Sequence, residues 1–235
     1  MLKIDNINYS IDNKPILKDI SLDFKDNQIT VITGGNGSGK STLLNIICGI
    51  LKQNSGNIFL GDEEISSLKI NERAKKGLSI AFQQPVKFKG IKVKRLLEIA
   101  ENKQTNISSA CDYLSKVGLC ARNYLEREFN NELSGGERKR IELALSIAQN
   151  GKTCLFDEPE AGIDMWSFDS LVSIFQDLKN EGKCVVIVSH NQKILDIADK
   201  IIVLNDGKIE YSGNREGFKS LLPNSCIKLQ GGKNE

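Results

Sequence analysis

The chain has 235 residues, in which 32 Lys and Arg nearly balance 30 Asp and Glu and leave a formal net charge of +2. This balance argues against a surface that coats nucleic acid. No apolar run approaches the roughly 18–20 residues that a membrane span needs, and the opening MLKIDNINYS lacks the apolar core of a signal peptide. We therefore expect a cytoplasmic protein with no nucleic-acid partner and no direct membrane insertion.

The length predicts a single α/β domain with a smaller insertion, which we place at residues 1–228, followed by a disordered tail at 229–235. The six cysteines contain no C-x-x-C pair. We interpret them as residues of the core, and metal or cluster ligation as the less favoured alternative.

The first predicted elements are strands. Apolar and polar residues alternate over residues 2–11 and again over 16–24, which predicts a largely antiparallel layer. A third, apolar strand at residues 29–32 leads into a glycine-rich loop.

That loop reads GGNGSGKST at residues 34–42 and fits the phosphate-binding pattern G-x-x-x-x-G-K-[ST]. Its glycines let consecutive N–H groups turn towards phosphate oxygens, Lys40 is expected to meet the β- and γ-phosphates, and Ser41 to bind Mg²⁺. The alternative, a glycine-rich turn before an ordinary helix, is disfavoured by the lysine and the Ser-Thr pair. The predicted nucleotide-binding residues of the loop are Gly34, Gly35, Asn36, Gly37, Ser38, Gly39, Lys40, Ser41 and Thr42.

Two short apolar strands follow at residues 58–60 and 78–82, and then the apolar period becomes helical. This helical spacing extends from residue 91 to about 118 and predicts a helical insertion. After it, the continuously apolar runs 153–156 and 184–188 predict buried strands of a parallel sheet, separated by a helix. The Asn205-Asp206-Gly207 segment predicts a hairpin turn between the last two strands.

Acidic side chains and a histidine follow the two buried strands. Asp157 and Glu158 come at the end of the first, which is the sheet edge where ligands bind in α/β folds. Asp157 suits a water-mediated Mg²⁺ contact, and Glu158 can polarise a water for attack on the γ-phosphate. His190, the chain's single histidine, follows the second strand and would hold the γ-phosphate or the water. An exposed acidic loop and a structural histidine are the alternatives.

Residues 133–137 read LSGGE. Ser134 and Glu137 have the spacing of a helix capping box, and the same helix N-terminus, with Gly135 and Gly136, would bind an anion. Both interpretations can hold together.

In this order the motifs resemble the ABC ATPase family from end to end: Walker A at 34–42, the Q-loop residue Gln83, the signature LSGGE, Walker B at 154–158, a D-loop that ends at Asp164, and the switch residue His190. The resemblance implies an α/β fold with a P-loop NTPase (RecA-like) core, an antiparallel β layer and a helical subdomain, which is the helical insertion at about residues 84–149. It also implies ATP and Mg²⁺ as cofactors, ATP hydrolysis, and a role for Gln83 in sensing Mg²⁺ and the attacking water.

The resemblance further implies a head-to-tail dimer with two ATP molecules between the subunits. Each Walker A would face Ser134, Gly135, Gly136 and Asp164 of the other copy. The family's adenine-stacking aromatic should lie near Ile11, which is aliphatic, so we expect Tyr9 on the same strand face to contact the base.

Two stretches, AFQQPVKFKG at residues 81–90 and DEPEAGIDMWSF at 157–168, resemble the SufC-type ATPases of iron–sulfur cluster assembly. Transporter ATPases usually carry Ser or Thr-Ser where this chain has Glu160. The resemblance implies an ATPase that acts on a SufB-like scaffold, docked through residues 82–97, including Pro85, Val86 and Phe88. The alternative is the ATP-binding subunit of a membrane transporter. A regulatory or DNA-associated ABC protein is disfavoured by the charge and by the lack of a long coiled-coil insertion.

Overall fold

The computed structural model describes residues 1–83, 90–130, 132–162 and 165–221. Asp164, the expected docking residues Pro85, Val86 and Phe88, and the expected tail lie outside these ranges. Within them the strands are β1 Leu2–Ile11, β2 Lys14–Phe24, β3 Gln28–Thr33, β4 Ser55–Leu60, β5 Glu63–Glu64, β6 Leu78–Ala81, β7 Thr153–Asp157, β8 Cys184–Val188, β9 Lys200–Asn205 and β10 Lys208–Gly213. The helices are α1 Lys40–Cys48, α2 Ile70–Lys75, α3 Val93–Glu101, α4 Ile107–Leu114, α5 Ala121–Tyr124, α6 Gly135–Ala148, α7 Met165–Asn180, α8 Gln192–Asp196 and α9 Arg215–Leu221.

The central sheet has six strands in the order β10-β9-β3-β8-β7-β6. Its neighbours pair in parallel, except for the antiparallel hairpin β9–β10. Every residue of β7 and β8 is buried, as their continuous apolar runs predicted. Side chains of β3 alternate between two cores, because Ile29 and Val31 face one and Ile32 faces the other.

A second sheet of four antiparallel strands, in the order β2-β1-β4-β5, covers one core together with α1. The chain between β6 and β7 forms α3 to α6, whose buried residues join the core on the opposite face. This is the α/β core with an antiparallel layer and a helical subdomain that the sequence predicted. In the predicted hairpin turn, Asp206 and Gly207 have φ of 46° and 73°, the left-handed pair of a type I′ turn.

The cysteines at 48, 154 and 184 are buried and free, and the half-buried Cys111 packs against the core, in agreement with the expected role. The expectation is wrong for Cys120, which is exposed, and Cys226 lies outside the described residues. Over the described residues we find no cluster of three or more potential metal-ligating side chains, and none of their helices combines the length and the apolar character needed to cross a membrane.

Candidate nucleotide-binding site

An open cleft of about 520 Å³ lies at the end of β3, where the chain passes through the glycine loop into α1. It brings together residues that are far apart in the sequence: Ile11, Ile16, Asn36, Gly37, Gly39, Lys40, Ser41, Thr42, Gln83 and Glu158. Most of the predicted Walker A residues and two of the three predicted catalytic residues therefore share one cleft.

The loop requires glycine at two positions for steric reasons. Gly34 has a φ of 139°, and a Cβ there would lie 1.9 Å from the carbonyl oxygen of Leu204. Gly39 has a φ of 102°, and its Cβ would lie 2.6 Å from a methyl group of Leu17. The loop can therefore lie this close to β9 and β2 only without side chains.

Lys40 is 5% exposed, and its ammonium group donates to the carbonyl oxygens of Gly34 and Gly35, both at 2.9 Å. Burial lowers the pKa of Lys40, while the nearby carboxylates of Glu158 and Asp157 raise it. The positive charge is thus held within the loop, where phosphate groups are expected.

Two of the three predicted metal ligands, Ser41 and Asp157, are in contact. The Ser41 hydroxyl donates to Asp157 Oδ1 at 3.1 Å, and Asp157 is 6% exposed. Burial raises the pKa of Asp157, and the hydrogen bond from Ser41 opposes this. A hydroxyl and a carboxylate at this spacing, beside a phosphate-binding loop, are hard oxygen donors that fit Mg²⁺. Gln83, the third predicted ligand, lines the same cleft.

Glu158 is held in an unusual backbone conformation. Its φ is 43°, whereas the other described non-glycine residues with positive φ are Asn or Asp. The Glu158 N–H donates to the carbonyl of Val188 at 3.0 Å, and the Gln83 side-chain amide donates to Glu158 Oε2 at 2.6 Å. Backbone strain of this kind clusters at functional sites, and the hydrogen bond from Gln83 holds the Glu158 carboxylate beside the cleft.

His190 follows β8 at the same sheet edge and is exposed. Its Nδ1 lies 3.3 Å from the hydroxyl of Thr33, the last residue of β3. Sequence reasoning did not single out Thr33, although its position directly before the glycine loop was a usable signal.

Ser134 begins α6 through the capping box that the sequence predicted. Its hydroxyl accepts from the N–H of Glu137 at 3.2 Å, and its own N–H donates to Glu137 Oε2 at 2.7 Å. The pKa of Glu137 is lowered to about 2, first by the hydrogen bond from the Tyr124 hydroxyl and then by those from Ser134.

Neither Ser134 nor the two glycines after it line the cleft of their own chain. A Cβ on Gly136 would instead lie 3.2 Å from the carbonyl oxygen of Gly162, in the segment that leads to Asp164.

The structure does not bring Tyr9 to the cleft, where Ile11 and Ile16 lie instead. The expectation for Tyr9 assumed regular alternation along β1. The pairing of β1 with β2 shifts register between Tyr9 and Ser10, so Tyr9 and Ile11 are not related by a simple two-residue period. Tyr9 packs against the core beneath the antiparallel layer.

A buried ion pair, which the sequence analysis missed, holds the start of the Q-loop. Lys139, 2% exposed, donates to the carbonyl oxygens of Phe82 and Gln83 and lies 3.5 Å from Glu142. Glu142 accepts from the N–H of Phe82 at 3.0 Å. Burial lowers the pKa of Lys139 and raises that of Glu142. The local sequence around Lys139 and Glu142 does not indicate that their hydrogen-bond partners lie some 60 residues earlier in the chain.

The fold and the cleft together define a P-loop nucleotide-binding protein. The ABC transporter family profile matches residues 17–161, more than half of the chain. The chain belongs to the ABC ATPase family.

Relatives and solved structures agree with this assignment. The chain is 35% identical to an uncharacterised ABC transporter ATP-binding protein of Methanocaldococcus jannaschii, over 97% of this chain and 94% of that one. It is 30% identical to the lipopolysaccharide export system ATP-binding protein LptB of Haemophilus influenzae, over 92% and 91% of the two chains. A dimeric bacterial ABC transporter cassette superposes with a TM-score of 0.82 at 26% identity, over 92% of this chain and 99% of the other.

Proposed function

We propose that this protein is the ATP-hydrolysing subunit of an ABC system and works as a pair of identical subunits. The observation that carries the proposal is the contact between Gln83 and the strained Glu158, in the same cleft as Lys40 and the Ser41–Asp157 pair. One cleft thus combines a phosphate-binding loop, oxygen ligands for a divalent cation and a fixed carboxylate.

The roles follow from this arrangement. Lys40 and the loop N–H groups bind the β- and γ-phosphates, and Ser41 with Asp157 holds Mg²⁺, which neutralises phosphate charge when bound. Glu158 orients and polarises the attacking water, Gln83 positions Glu158, and His190 lies at the edge where the γ-phosphate would be held.

The pairing of subunits is supported by the position of the signature. Ser134 lies outside the cleft of its own chain but at an exposed helix N-terminus, which suits an anion presented by another copy. The similar cassette was solved as a dimer. A head-to-tail pair would close each cleft with the signature of the other subunit. We place the protein in the cytoplasm.

Two variants separate nucleotide binding from hydrolysis. Lys40→Ala should abolish ATP binding in calorimetry, because it removes the charge held within the loop. Glu158→Gln should bind ATP as the unmodified protein does and hydrolyse it roughly 10²- to 10⁴-fold more slowly, the effect of losing a positioned base. Unchanged ATP affinity in Lys40→Ala would falsify the nucleotide-site assignment.

For the partner, we propose the membrane subunit of a transporter. The names of the relatives favour this choice, since one is an ABC transporter ATP-binding protein and another belongs to a lipopolysaccharide export system. The matched family is likewise named for transporters. In this proposal the ATPase docks on the membrane-embedded part of the transporter.

A second candidate is an ATPase that drives iron–sulfur cluster assembly on a SufB-like scaffold. It is favoured by the residue after Pro159, because Glu160 stands where transporter ATPases usually have Ser or Thr, and its carboxylate accepts a hydrogen bond from Ser189. Affinity purification of the protein from its own cells, under anaerobic conditions and in mild detergent, distinguishes the two. A co-purified membrane permease supports the transporter, and a soluble SufB-like protein without a permease supports the scaffold.

A further inference from the structure

Glu160 lies two residues after Glu158, and only one of its two carboxylate oxygens has a hydrogen-bond partner in the described part of the chain. Its Oε1 accepts a hydrogen bond from the hydroxyl of Ser189. Its Oε2 is buried without a hydrogen-bond partner in the described part of the chain. Burying a carboxylate oxygen in this way costs free energy, so its retention calls for a reason beyond packing.

Hydrogen bonds at its backbone N–H and at its hydroxyl hold Ser189 in place. It is fully buried, its N–H donates to the carbonyl of Ile32 at 3.2 Å, and its hydroxyl accepts from the N–H of Asn191 at 2.9 Å. Because the hydroxyl accepts from Asn191, its single proton is free to be donated to Glu160. Glu160 therefore sets the orientation of a hydroxyl that bridges the residues on either side of His190.

The turn that carries His190 depends on this hydroxyl. Asn191 caps the N-terminus of α8, and its backbone is held to Ser189 across His190. The imidazole itself is exposed and contacts the Thr33 hydroxyl at the long distance of 3.3 Å. Its position is thus set mainly by the backbone of residues 189–191.

The contact is not needed to join the two strands. β7 and β8 are already paired from Thr153 to Asp157, and the Glu158 N–H extends the ladder to Val188. Burial raises the pKa of Glu160, and so does the charge of Glu158, whereas the Ser189 hydrogen bond and His190 lower it. Both predicted catalytic residues thus act on the Glu160 carboxylate, which lies near them.

We propose that Glu160 is a positioning residue, which orients His190 for the reaction through the Ser189 hydroxyl. The inference rests on the ATPase function proposed above and deepens it by linking the segment after Glu158 to the switch histidine. In this arrangement, a shift of residues 158–162 is transmitted to His190 through one hydrogen bond.

The test compares Glu160→Ala, Ser189→Ala, the double variant and Glu160→Gln, with Glu210→Ala on the exposed strand β10 as the control. Glu160→Ala and Ser189→Ala should each lower kcat about 10- to 100-fold, the effect of misplacing a catalytic group, with the calorimetric Kd for ATP unchanged. The double variant should be no slower than the slower single variant, since both remove the same contact. Glu160→Gln should recover most of the rate, because its amide oxygen still accepts from Ser189.

A spectroscopic readout separates positioning from a merely structural effect. His190 is the chain's single histidine, so its imidazole protons give unambiguous NMR signals once any purification tag is removed. These signals should shift or broaden in Glu160→Ala and Ser189→Ala, and should match the unmodified protein in Glu160→Gln and Glu210→Ala.

Unchanged His190 signals in both alanine variants, or losses of kcat that multiply in the double variant, would overturn the inference. If the unmodified protein hydrolyses no ATP, the proposed function fails, whereas the His190 signals still decide whether Glu160 positions the ring. If Glu160→Ala fails to fold, Ser189→Ala and Glu160→Gln supply the same comparison.

Discussion

Ile11 and Ile16 form the apolar wall of the cleft beside the phosphate-binding loop. Ile11 is 48% exposed, which is high for an isoleucine and leaves its side chain accessible to a ligand. An aliphatic wall offers contact to a purine ring without the stacking that an aromatic ring provides. We therefore expect the adenine ring to be held weakly, with most of the binding energy coming from the phosphates.

The substitution Ile11→Tyr should tighten ATP binding about 2- to 13-fold, since aromatic stacking contributes roughly 0.5–1.5 kcal/mol beyond area burial. Calorimetric titration with MgATP measures the change. The control is Ile99→Tyr, at a position 59% exposed and outside the cleft, which should leave Kd unaltered. If Ile11→Tyr has no effect while Tyr9→Leu weakens binding, the base lies against Tyr9 as the sequence suggested.

At the level of elements, the end of the P-loop helix α1 depends on one buried arginine. Arg73 of α2 is 1% exposed, and its guanidinium donates to the carbonyls of Ile46 and Ile47 at 2.7 and 2.6 Å. Two further bonds, each 2.9 Å long, reach the carbonyls of Ser66 and Leu68. A cation at a helix C-terminus satisfies carbonyl groups that have no intrahelical partner and interacts favourably with the helix dipole.

We expect Arg73→Met to lower the free energy of unfolding by about 3 kcal/mol, because buried carbonyls lose a charged donor and methionine cannot replace it. Arg73→Lys should recover only part of this loss, since an ammonium group cannot reproduce the planar fork. Urea unfolding measures the free energy of unfolding of both variants. Lys75→Met, an exposed position on the same helix, is the control and should change stability by less than about 0.5 kcal/mol. Equal unfolding of Arg73→Met and the control would show that α1 does not need this cap.

At the scale of the whole molecule, the cleft and the signature lie apart. The cleft is lined by the P-loop, Gln83 and Glu158, and the signature helix α6 begins elsewhere on the same chain. In the proposed dimer, each cleft would be completed by the signature of the other copy.

This arrangement predicts how dimerisation responds to substitution. In a Glu158→Gln background, which slows hydrolysis, MgATP should produce a dimer that light scattering detects. Adding Ser134→Arg should abolish it, because bulk and charge would enter the partner's phosphate site. Ser134→Ala is the control, since it removes the helix cap at a cost of about 1 kcal/mol without filling the interface, and should still dimerise. An ATP-dependent dimer in the arginine variant would leave the signature as a helix cap only.

The sequence by itself determined the order of the motifs, the two layers of strands and the helical insertion. Glycine patterns and apolar periods follow from local backbone sterics and from burial of one or both faces, and both can be read along the chain. For the same local reason the capping box of Ser134 and Glu137 and the turn at Asp206 and Gly207 were predictable.

Only the tertiary structure decided which side chains meet. The pairing of β1 with β2 shifts register beside Tyr9, and the cleft is lined by Ile11 and Ile16 instead of Tyr9. No local sequence pattern indicates such a shift. The contact from Ser189 to Glu160 joins residues 29 positions apart, because the neighbouring parallel strands β7 and β8 end at one sheet edge. The contact from Lys139 to Gln83 joins residues 56 positions apart, because helix α6 packs against β6. Local propensity determines where the strands and helices form. Which distant polar groups come into contact depends on strand order and packing, and the sequence encodes these only through the whole fold.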